Sequence, residues 1–239
     1  MIGALLNAVG IVVGGLAGSW SARQLSPQRQ RQLQVLLGAF TVFFGLSIVW
    51  SGLRGSWTQF LGKFALMLAA LMLGKLTGHL LRIQRCVNKA GRFAGNQLSP
   101  DQAQSNRSFS DVFAACAAVY CLAPLALLGS LAEGLHGDLR PLIIKMIMDG
   151  LAAMSFARML PGAVLLSAIP VFVWQGTLTL AARFLLPTLE RALLVDTLTA
   201  TAGMLIFAVA LVILRLRRIE LADYWPSLLY APLLTLLFR

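Results

Sequence analysis

The sequence predicts an all-α integral membrane protein with about eight transmembrane helices, some of them short or broken, and three observations support this class. Hydrophobic residues make up 58% of the 239 residues, charged residues only 12%, and the mean hydropathy is +0.79. Such a chain has too little polar surface to coat a soluble globule. The apolar residues also form blocks of roughly 17–25, the length at which an α-helix crosses hydrocarbon. Finally, the basic residues gather in alternate connections between these blocks.

The eight predicted spans, in chain order, cover residues 2–18, 33–52, 57–81, 109–131, 141–157, 161–186, 193–214 and 222–238. The first, fifth and eighth are the shortest, so tilted, re-entrant or half-length segments are alternatives to simple spans there. The first run starts at Met1 without a basic segment and contains glycines instead of a leucine-rich core. We therefore expect no cleavable signal peptide.

The net charge of +11 is distributed by connection. The basic residues that follow the first, third, fifth and seventh spans are Arg23, Arg29, Arg31, Arg82, Arg85, Lys89, Arg92, Arg107, Arg158, Arg215, Arg217 and Arg218. By the positive-inside rule these connections are cytoplasmic, which predicts that both termini lie outside the cytoplasm. The basic residues do not form one stripe with interleaved aromatic residues, so the expected partner is the lipid bilayer and not a nucleic acid.

No arrangement in the sequence is typical of an enzyme. The three cysteines, Cys86, Cys116 and Cys121, give no disulfide framework and are interpreted as packing residues. No His, Cys, Asp and Glu cluster has metal-ligand spacing, no Ser, His and Asp set suggests a catalytic triad, and no phosphate-binding or dinucleotide fingerprint occurs. We therefore expect no enzymatic activity, no bound metal and no cofactor.

The whole chain, 1–239, is predicted to form one transmembrane domain, with helical groups at 1–81 and 109–239 on either side of a basic connection at 82–108. The start of this connection places Ile83, Val87 and Ala90 on one helical face, which suits a helix lying in the cytoplasmic headgroup layer. Residues 95–106 are interpreted as a flexible linker. A solvated connector and a regulatory docking segment are the two alternatives.

The first span has one face made almost entirely of glycine. Gly3, Asn7, Gly10, Gly14 and Gly18 recur every three or four residues, so this face is nearly bare backbone with one amide set into it. Another helix is predicted to pack closely against it. Asn7 then makes an interhelical hydrogen bond or contacts a substrate or ion, and both alternatives are open.

The fifth predicted span contains Lys145 and Asp149, followed by Gly150, inside an apolar run. Residues at i and i+4 share one helix face and are close enough to pair. Pairing lowers the cost of burying either charge, which is at least about 2.5–3.5 kcal/mol for one charge at the bilayer centre. The pair is either a structural ion pair or a site where Asp149 titrates or binds a cation, with Lys145 as its counter-charge.

The sixth predicted span carries polar and helix-breaking residues in an apolar run. Pro170 removes one helical donor, and Gln175, Gly176, Thr177 and Thr179 bring polar side chains and a flexible joint to membrane depth. The pattern predicts a broken or kinked helix. In transporters such interrupted helices often bind solute, although a kink packed for structural reasons is the alternative.

A short internal similarity relates the first and sixth spans. The run LLNAVGIVV at 5–13 aligns with LLSAIPVFV at 165–173, which places Asn7 opposite Ser167 and Gly10 opposite Pro170. In the predicted topology these two spans run in opposite directions. An inverted repeat would produce this relation, and such repeats place a binding site where the paired helices meet.

Several elements of the second half of the chain form a recognisable set: Gly134-Leu135 with Gly137-Asp138; Lys145 with Asp149-Gly150; Ser167 to Pro170; and Gln175-Gly176 with Thr179. With the N-terminal run MIGALLNAVGIVVGGLAG, they resemble the YqgA-like bacterial membrane proteins, the family called domain of unknown function 554, over nearly the whole chain. Two positions depart from the family pattern. Gly78-His79 stands where Gly-Glu is usual, so an acidic role at position 79 is not transferred. Ala123-Pro124 stands where Gly-Ala is expected, so the fourth span is expected to bend differently.

The resemblance implies a multi-pass protein of the bacterial inner membrane, of a kind often described as a transporter or permease without an established substrate. The leading hypothesis is secondary transport, or channel-like passage, of a small solute or ion. The candidate binding residues are Asn7, Lys145, Asp149, Ser167, Gln175, Thr177 and Thr179, and the candidate hinges are Gly150, Pro170 and Gly176. The alternative is a non-transporting scaffold or regulatory protein that affects envelope properties. A homodimer through small-residue helix faces is also expected.

Overall fold

The computed structural model describes residues 1–20, 26–98, 108–158, 160–191, 194–217 and 219–238. In chain order its helices are α1 (Ile2–Trp20), α2 (Pro27–Gly52), α3 (Trp57–Leu80), α4 (Ile83–Leu98), α5 (Phe109–Leu122), α6 (Pro124–His136), α7 (Arg140–Phe156), α8 (Pro161–Leu166), α9 (Ala168–Arg191), α10 (Val195–Ile213), a short 3₁₀ helix (Leu221–Tyr224) and α11 (Ser227–Leu237). These ranges contain no strand, which confirms the all-α prediction. The prediction of a flexible linker at 95–106 is wrong for residues 95–98, which form the last turn of α4. Linker residues 99–106 and the basic residues Arg23, Arg107 and Arg218 lie outside the described residues.

Within the described ranges, five helical segments are long and apolar enough to cross a membrane: α1, α2, α3, α8 with α9, and α10. The pair α5 and α6 gives a sixth if it is one span bent by 53°. The prediction of eight spans is not confirmed. The fifth predicted span is a helix of 17 residues, α7, and the eighth is divided between the four-residue 3₁₀ helix and the 11-residue α11. The orientation of the termini stays a prediction.

The bend between α5 and α6 follows from Pro124. Proline disfavours the helical conformation in the residue before it. Ala123 is accordingly extended, with φ −60° and ψ 131°, and Pro124 starts the next helix, where its missing N–H needs no helical partner. The sequence departure at Ala123-Pro124 therefore coincides with a broken helix.

The helices form two compact units, each assembled from distant parts of the chain. Unit 1 contains Met1–Pro27, Cys86–Glu133 and Asp138–Leu180, and unit 2 contains Gln28–Arg85, Gly134–Gly137 and Ala181–Arg239. Neither unit is a continuous half of the sequence, so each depends on contacts between residues that are far apart in the chain.

In unit 1, the glycine face of α1 packs on α7, as the glycine spacing predicts. A Cβ atom at Gly14 would overlap the carbonyl group of Gly150, and one at Gly18 would overlap the carbonyl group of Met154. Residue numbers increase together along the two helices, so α1 and α7 run parallel. The backbones approach this closely only because glycine has no side chain.

The apolar core of unit 1 also receives α4. Ala94 and Leu98 of α4 are buried with Val112 and Cys116 of α5, whereas Arg85 and the other basic side chains of α4 are exposed. The predicted amphipathic helix is therefore present, but the protein covers its apolar face where we expected lipid headgroups. The i, i+4 pattern continues through Ala94 and Leu98, which extends that face onto the core.

Unit 2 uses the same glycine contacts between antiparallel helices. A Cβ atom at Gly45 of α2 would lie 2.7 Å from the Phe207 nitrogen of α10, and one at Gly52 would lie 2.6 Å from the Ala200 nitrogen. At the end of α3, a Cβ atom at Gly78 would overlap the carbonyl group of the residue at the centre of the 3₁₀ helix, Asp223. Close backbone packing between helices thus stabilises each of the two units.

The sixth predicted span is interrupted three residues before Pro170. Ser167 forms a turn between α8 and α9, and its N–H donates to the carbonyl groups of Ala163 and Val164, both at 3.2 Å. Pro170 is the third residue of α9, where a helix needs no N–H donor. The predicted break is therefore present, although Pro170 does not create it. Helix α9 is continuous through Gly176.

Candidate functional site

A buried ion pair lies inside unit 1 on α7. The Lys145 ammonium donates to Oδ2 of Asp149 at 2.5 Å, and the two residues are only 2% and 8% exposed. The spacing i, i+4 makes this contact available within one helix. Because burying either charge alone would be costly, each charge is stabilised in the protein interior by the other.

Two amide side chains from other helices join this pair. Nδ2 of Asn7, on α1, donates to Oδ2 of Asp149 at 3.0 Å and to Oε1 of Gln175, on α9, at 3.2 Å. Asn7 and Gln175 are completely buried. We call Asn7, Lys145, Asp149 and Gln175 the polar centre. The polar centre links α1, α7 and α9 through side chains that were each predicted from a different segment of the sequence.

The polar centre has hydrogen-bonding capacity that the described residues do not use. Oδ1 of Asn7 and Nε2 of Gln175 are buried and have no partner, and neither has the buried hydroxyl of Tyr120 on α5. Buried polar groups in proteins are nearly always satisfied, so each exception calls for an explanation. An acceptor and a donor beside a charge pair are the groups that a small polar ligand would use.

A second buried carboxylate, Glu133 on α6, was missed by the sequence reasoning. It accepts hydrogen bonds from the Met1 ammonium at 2.5 Å, from the Gly3 N–H at 3.0 Å and from the Thr179 hydroxyl at 3.2 Å. Glu133 therefore connects α6 with α1 and α9. Its position in the apolar run SLAEGL was the available signal, because a carboxylate there must find buried partners.

The other predicted residues have different surroundings. Ser167 is buried, but its hydroxyl donates to the Val164 carbonyl at 2.6 Å, within the turn that ends α8. Thr177 is exposed, because two residues along a helix rotate the side chain by roughly 200° away from the face of Gln175. Thr179 is buried, and its hydroxyl donates a hydrogen bond to Glu133 and to no residue of the polar centre. The structure thus brings together Asn7, Lys145, Asp149 and Gln175 and leaves Thr177 outside.

Unit 2 contains a separate polar cavity of about 470 Å³. His136 and Asp196 are among its lining residues, and Nε2 of His136 lies 2.7 Å from the Thr199 hydroxyl. Asp196 pairs with Lys63 at 2.7 Å and is 57% exposed at its side chain. These charges are accessible to solvent and neutralise each other, so they place fewer constraints on a ligand than the polar centre of unit 1.

The span-length apolar helices and the buried charged centre define a multi-pass α-helical membrane protein. The chain belongs to the family described as protein of unknown function (DUF554), whose model matches residues 2–236. This confirms the resemblance inferred from the short sequence elements.

Two curated proteins are similar to the chain over nearly their whole lengths. One is the uncharacterized protein YqgA of Escherichia coli (strain K12), 29% identical over 97% of this chain and 94% of the relative. The other is the uncharacterized membrane protein YdfK of Bacillus subtilis (strain 168), 25% identical over the same fractions. No solved structure matches the chain.

Proposed function

We propose that this protein is a secondary transporter or channel-like permease, and that its polar centre binds a small polar solute or ion during passage. The observation that carries the proposal is the unused pair of groups, Oδ1 of Asn7 and Nε2 of Gln175, beside the buried charges of Lys145 and Asp149. The two amide groups provide an acceptor and a donor, and Lys145 and Asp149 provide both signs of charge, at one place in the apolar protein interior.

The energetic argument concerns the unpaired groups. Leaving a buried polar group without a partner costs about 1–3 kcal/mol. A solute that accepts from Gln175 and donates to Asn7 would recover part of that cost, which gives it a reason to bind at this place. The charges of Lys145 and Asp149 sum to zero, so the solute need not carry a net charge.

Movement would come from the helices that supply the polar centre. The turn at Ser167, with Pro170 in the first turn of α9, gives this helix a break at one end. Gly150 and Gly176 remain candidate hinges, since glycine tolerates backbone changes that other residues resist. In this proposal α9 carries Gln175 toward and away from Asn7 and thereby changes access to the site.

A scaffold without transport activity is the second candidate. The observation that favours it is the 2.5 Å contact within the Lys145–Asp149 pair, which neutralises both charges without an added ion. Asn7 and Gln175 would then only fix how α1 and α9 meet α7. A homodimer through small-residue faces belongs to this candidate, and neither candidate includes enzymatic chemistry.

The test measures ligand binding by thermal stability of the purified protein in detergent. The panel contains inorganic ions, amino acids, polyamines and organic acids, and the variants are Gln175→Leu and Thr177→Val. Thr177 is the matched control because it lies on the same helix but is exposed. A ligand present at 100 times its Kd stabilises the folded state by about 2.7 kcal/mol. Ligands found in this way are then tested for uptake into proteoliposomes.

Transport predicts that one class of solute stabilises the wild-type protein and the Thr177→Val variant, fails to stabilise Gln175→Leu, and enters proteoliposomes. Equal stabilisation of both variants would remove the polar centre as the binding site. If no solute on the panel stabilises the protein and Gln175→Leu is only less stable, the scaffold is the better explanation.

A further inference from the structure

Three side chains with metal-binding atoms meet in unit 2. They are His79, near the end of α3, Glu220, just before the 3₁₀ helix, and Asp223, inside it. One ligand atom from each residue lies within 4.8 Å of the others. His79 and Glu220 are exposed, so small rotations of their side chains can shorten these distances.

The separation of His79 and Asp223 is informative. Nδ1 of His79 lies 3.9 Å from Oδ2 of Asp223, which is too long for a hydrogen bond. Two atoms bound to one zinc-sized ion at about 2.0–2.2 Å are roughly 3–4.4 Å apart. The two atoms therefore face each other at a distance that suits two ligands of one cation.

The carboxylate of Asp223 is held in place by the surrounding backbone. Asp223 is only 2% exposed, and its Oδ1 accepts the N–H of Gln84 at 2.8 Å. The Gln84 side chain in turn accepts the N–H of Ala222 at 2.9 Å. Gly78 allows α3 to lie directly against the carbonyl group of Asp223. These contacts occupy Oδ1 and leave Oδ2 directed at His79, in the way that outer-shell hydrogen bonds orient metal ligands.

The local charge also favours a cation. Among the described residues, Asp223 has one ion-pair contact, which is the 3.9 Å approach to His79. Lys75 lies one turn earlier on α3, but it does not neutralise these carboxylates, because its ammonium lies 5.6 Å above the ring of Tyr224. Two carboxylates this close repel each other, and a divalent cation between them would relieve that repulsion.

We propose that His79, Glu220 and Asp223 form a site for a divalent transition-metal cation of the Zn²⁺ type. One imidazole and two carboxylates suit a borderline cation such as Zn²⁺, whereas Ca²⁺ and Mg²⁺ prefer oxygen ligands alone. Water completes the coordination. The bound cation joins the end of α3 to the segment before α11 and stabilises this part of unit 2.

The experiment uses full-length protein without a polyhistidine tag, freed of metal with a chelator and titrated with Zn²⁺ by calorimetry. His79→Ala and Glu220→Gln remove one ligand each at exposed positions, so both variants should fold. The controls are His136→Gln, which removes the other histidine of the chain, and Glu190→Gln, which removes another exposed carboxylate of unit 2. Mg²⁺ serves as the comparison cation.

We expect one Zn²⁺ per chain, with unchanged affinity in both controls. The affinity of His79→Ala and Glu220→Gln should fall by at least about tenfold, an effect that even outer-shell changes produce at metal sites. Zn²⁺ should also raise the thermal midpoint of the wild-type protein but not that of His79→Ala. The proposal is overturned if Zn²⁺ binding is not saturable, if His79→Ala binds as tightly as wild type, or if Mg²⁺ binds as tightly as Zn²⁺.

Discussion

The two units share one packing device but treat polar side chains differently. Both bring helix backbones together at glycines, Gly14 against Gly150 in unit 1 and Gly45 against Phe207 in unit 2. In unit 1, buried amides and charges bond between helices. In unit 2, the buried hydroxyl of Thr41 bonds to the carbonyl group four residues earlier on its own helix. Each ion pair described there has one exposed partner, and among the described residues the buried Asp223 carboxylate accepts a backbone N–H from Gln84 and no hydrogen bond from a buried side chain.

The two kinds of hydrogen bond differ in whether they depend on how the helices are arranged. A hydroxyl bonded within its own helix satisfies itself wherever that helix lies, so it carries no information about a partner. The Asn7–Asp149 and Asn7–Gln175 bonds form only when three helices take up one arrangement. Changes in unit 1 should therefore be costlier than matched changes in unit 2.

The largest difference is expected for the ion pairs. Asp149→Asn leaves the Lys145 ammonium buried beside a neutral side chain and should cost about 3–5 kcal/mol. The matched change Asp196→Asn opens an exposed pair with Lys63 and should cost less than about 1 kcal/mol. Unfolding midpoints in detergent measure both. The double variant Lys145→Met with Asp149→Asn should recover most of the loss, and equal losses at positions 149 and 196 would contradict the comparison.

A smaller effect is expected at the glycines. Gly14→Ala places a Cβ atom on the carbonyl group of Gly150 and should cost about 3 kcal/mol, because neither backbone can withdraw without separating the helices. Gly62→Ala is the control, since a Cβ atom there has no neighbour within 4 Å. It should raise stability slightly through helix propensity. Thermal midpoints that fall equally for both would show that the close contact of α1 with α7 is not needed.

The smallest effect is expected for two buried threonines. Thr179→Val removes a hydrogen bond to Glu133 and should cost about 1.5 kcal/mol, since the carboxylate loses a donor. Thr201→Val removes a hydroxyl that bonds to the Thr197 carbonyl on the same helix, and it should cost less than about 1 kcal/mol. Denaturant titration of the two variants separates these values. A larger loss at position 201 would reverse the ranking of the units.

Features set by short-range periodicity could be predicted from the sequence. The glycine face of α1 follows from spacing along one helix, and so does the Lys145–Asp149 pair. The same periodicity should have excluded Thr177, because it lies on the opposite side of α9 from Gln175. The missing N–H of Pro170 predicts a helix break at that residue, but in the first turn of α9 the N–H would have no helical acceptor, so its absence does not break the helix.

Features that depend on distant contacts could not be predicted from one sequence. Glu133 obtains its partners from residues 130 and 46 positions away. His79 and Asp223 meet only because Gly78 lets α3 touch the 3₁₀ helix, and no sequence spacing encodes that contact. The eight-span prediction is not confirmed, because hydropathy does not show where an apolar run is divided, as it is between the 3₁₀ helix and α11.

The placement of the buried charges has a consequence for the order in which the protein is made. Lys145 and Asp149 lie on one helix, so they neutralise each other as soon as that helix forms. Asn7 emerges from the ribosome long before its partners, which lie 142 and 168 residues later, but an uncharged amide is far cheaper to hold in lipid than an ion. None of the four polar-centre side chains therefore has to enter the bilayer as an uncompensated charge, and the three-helix arrangement can wait until synthesis has passed Gln175.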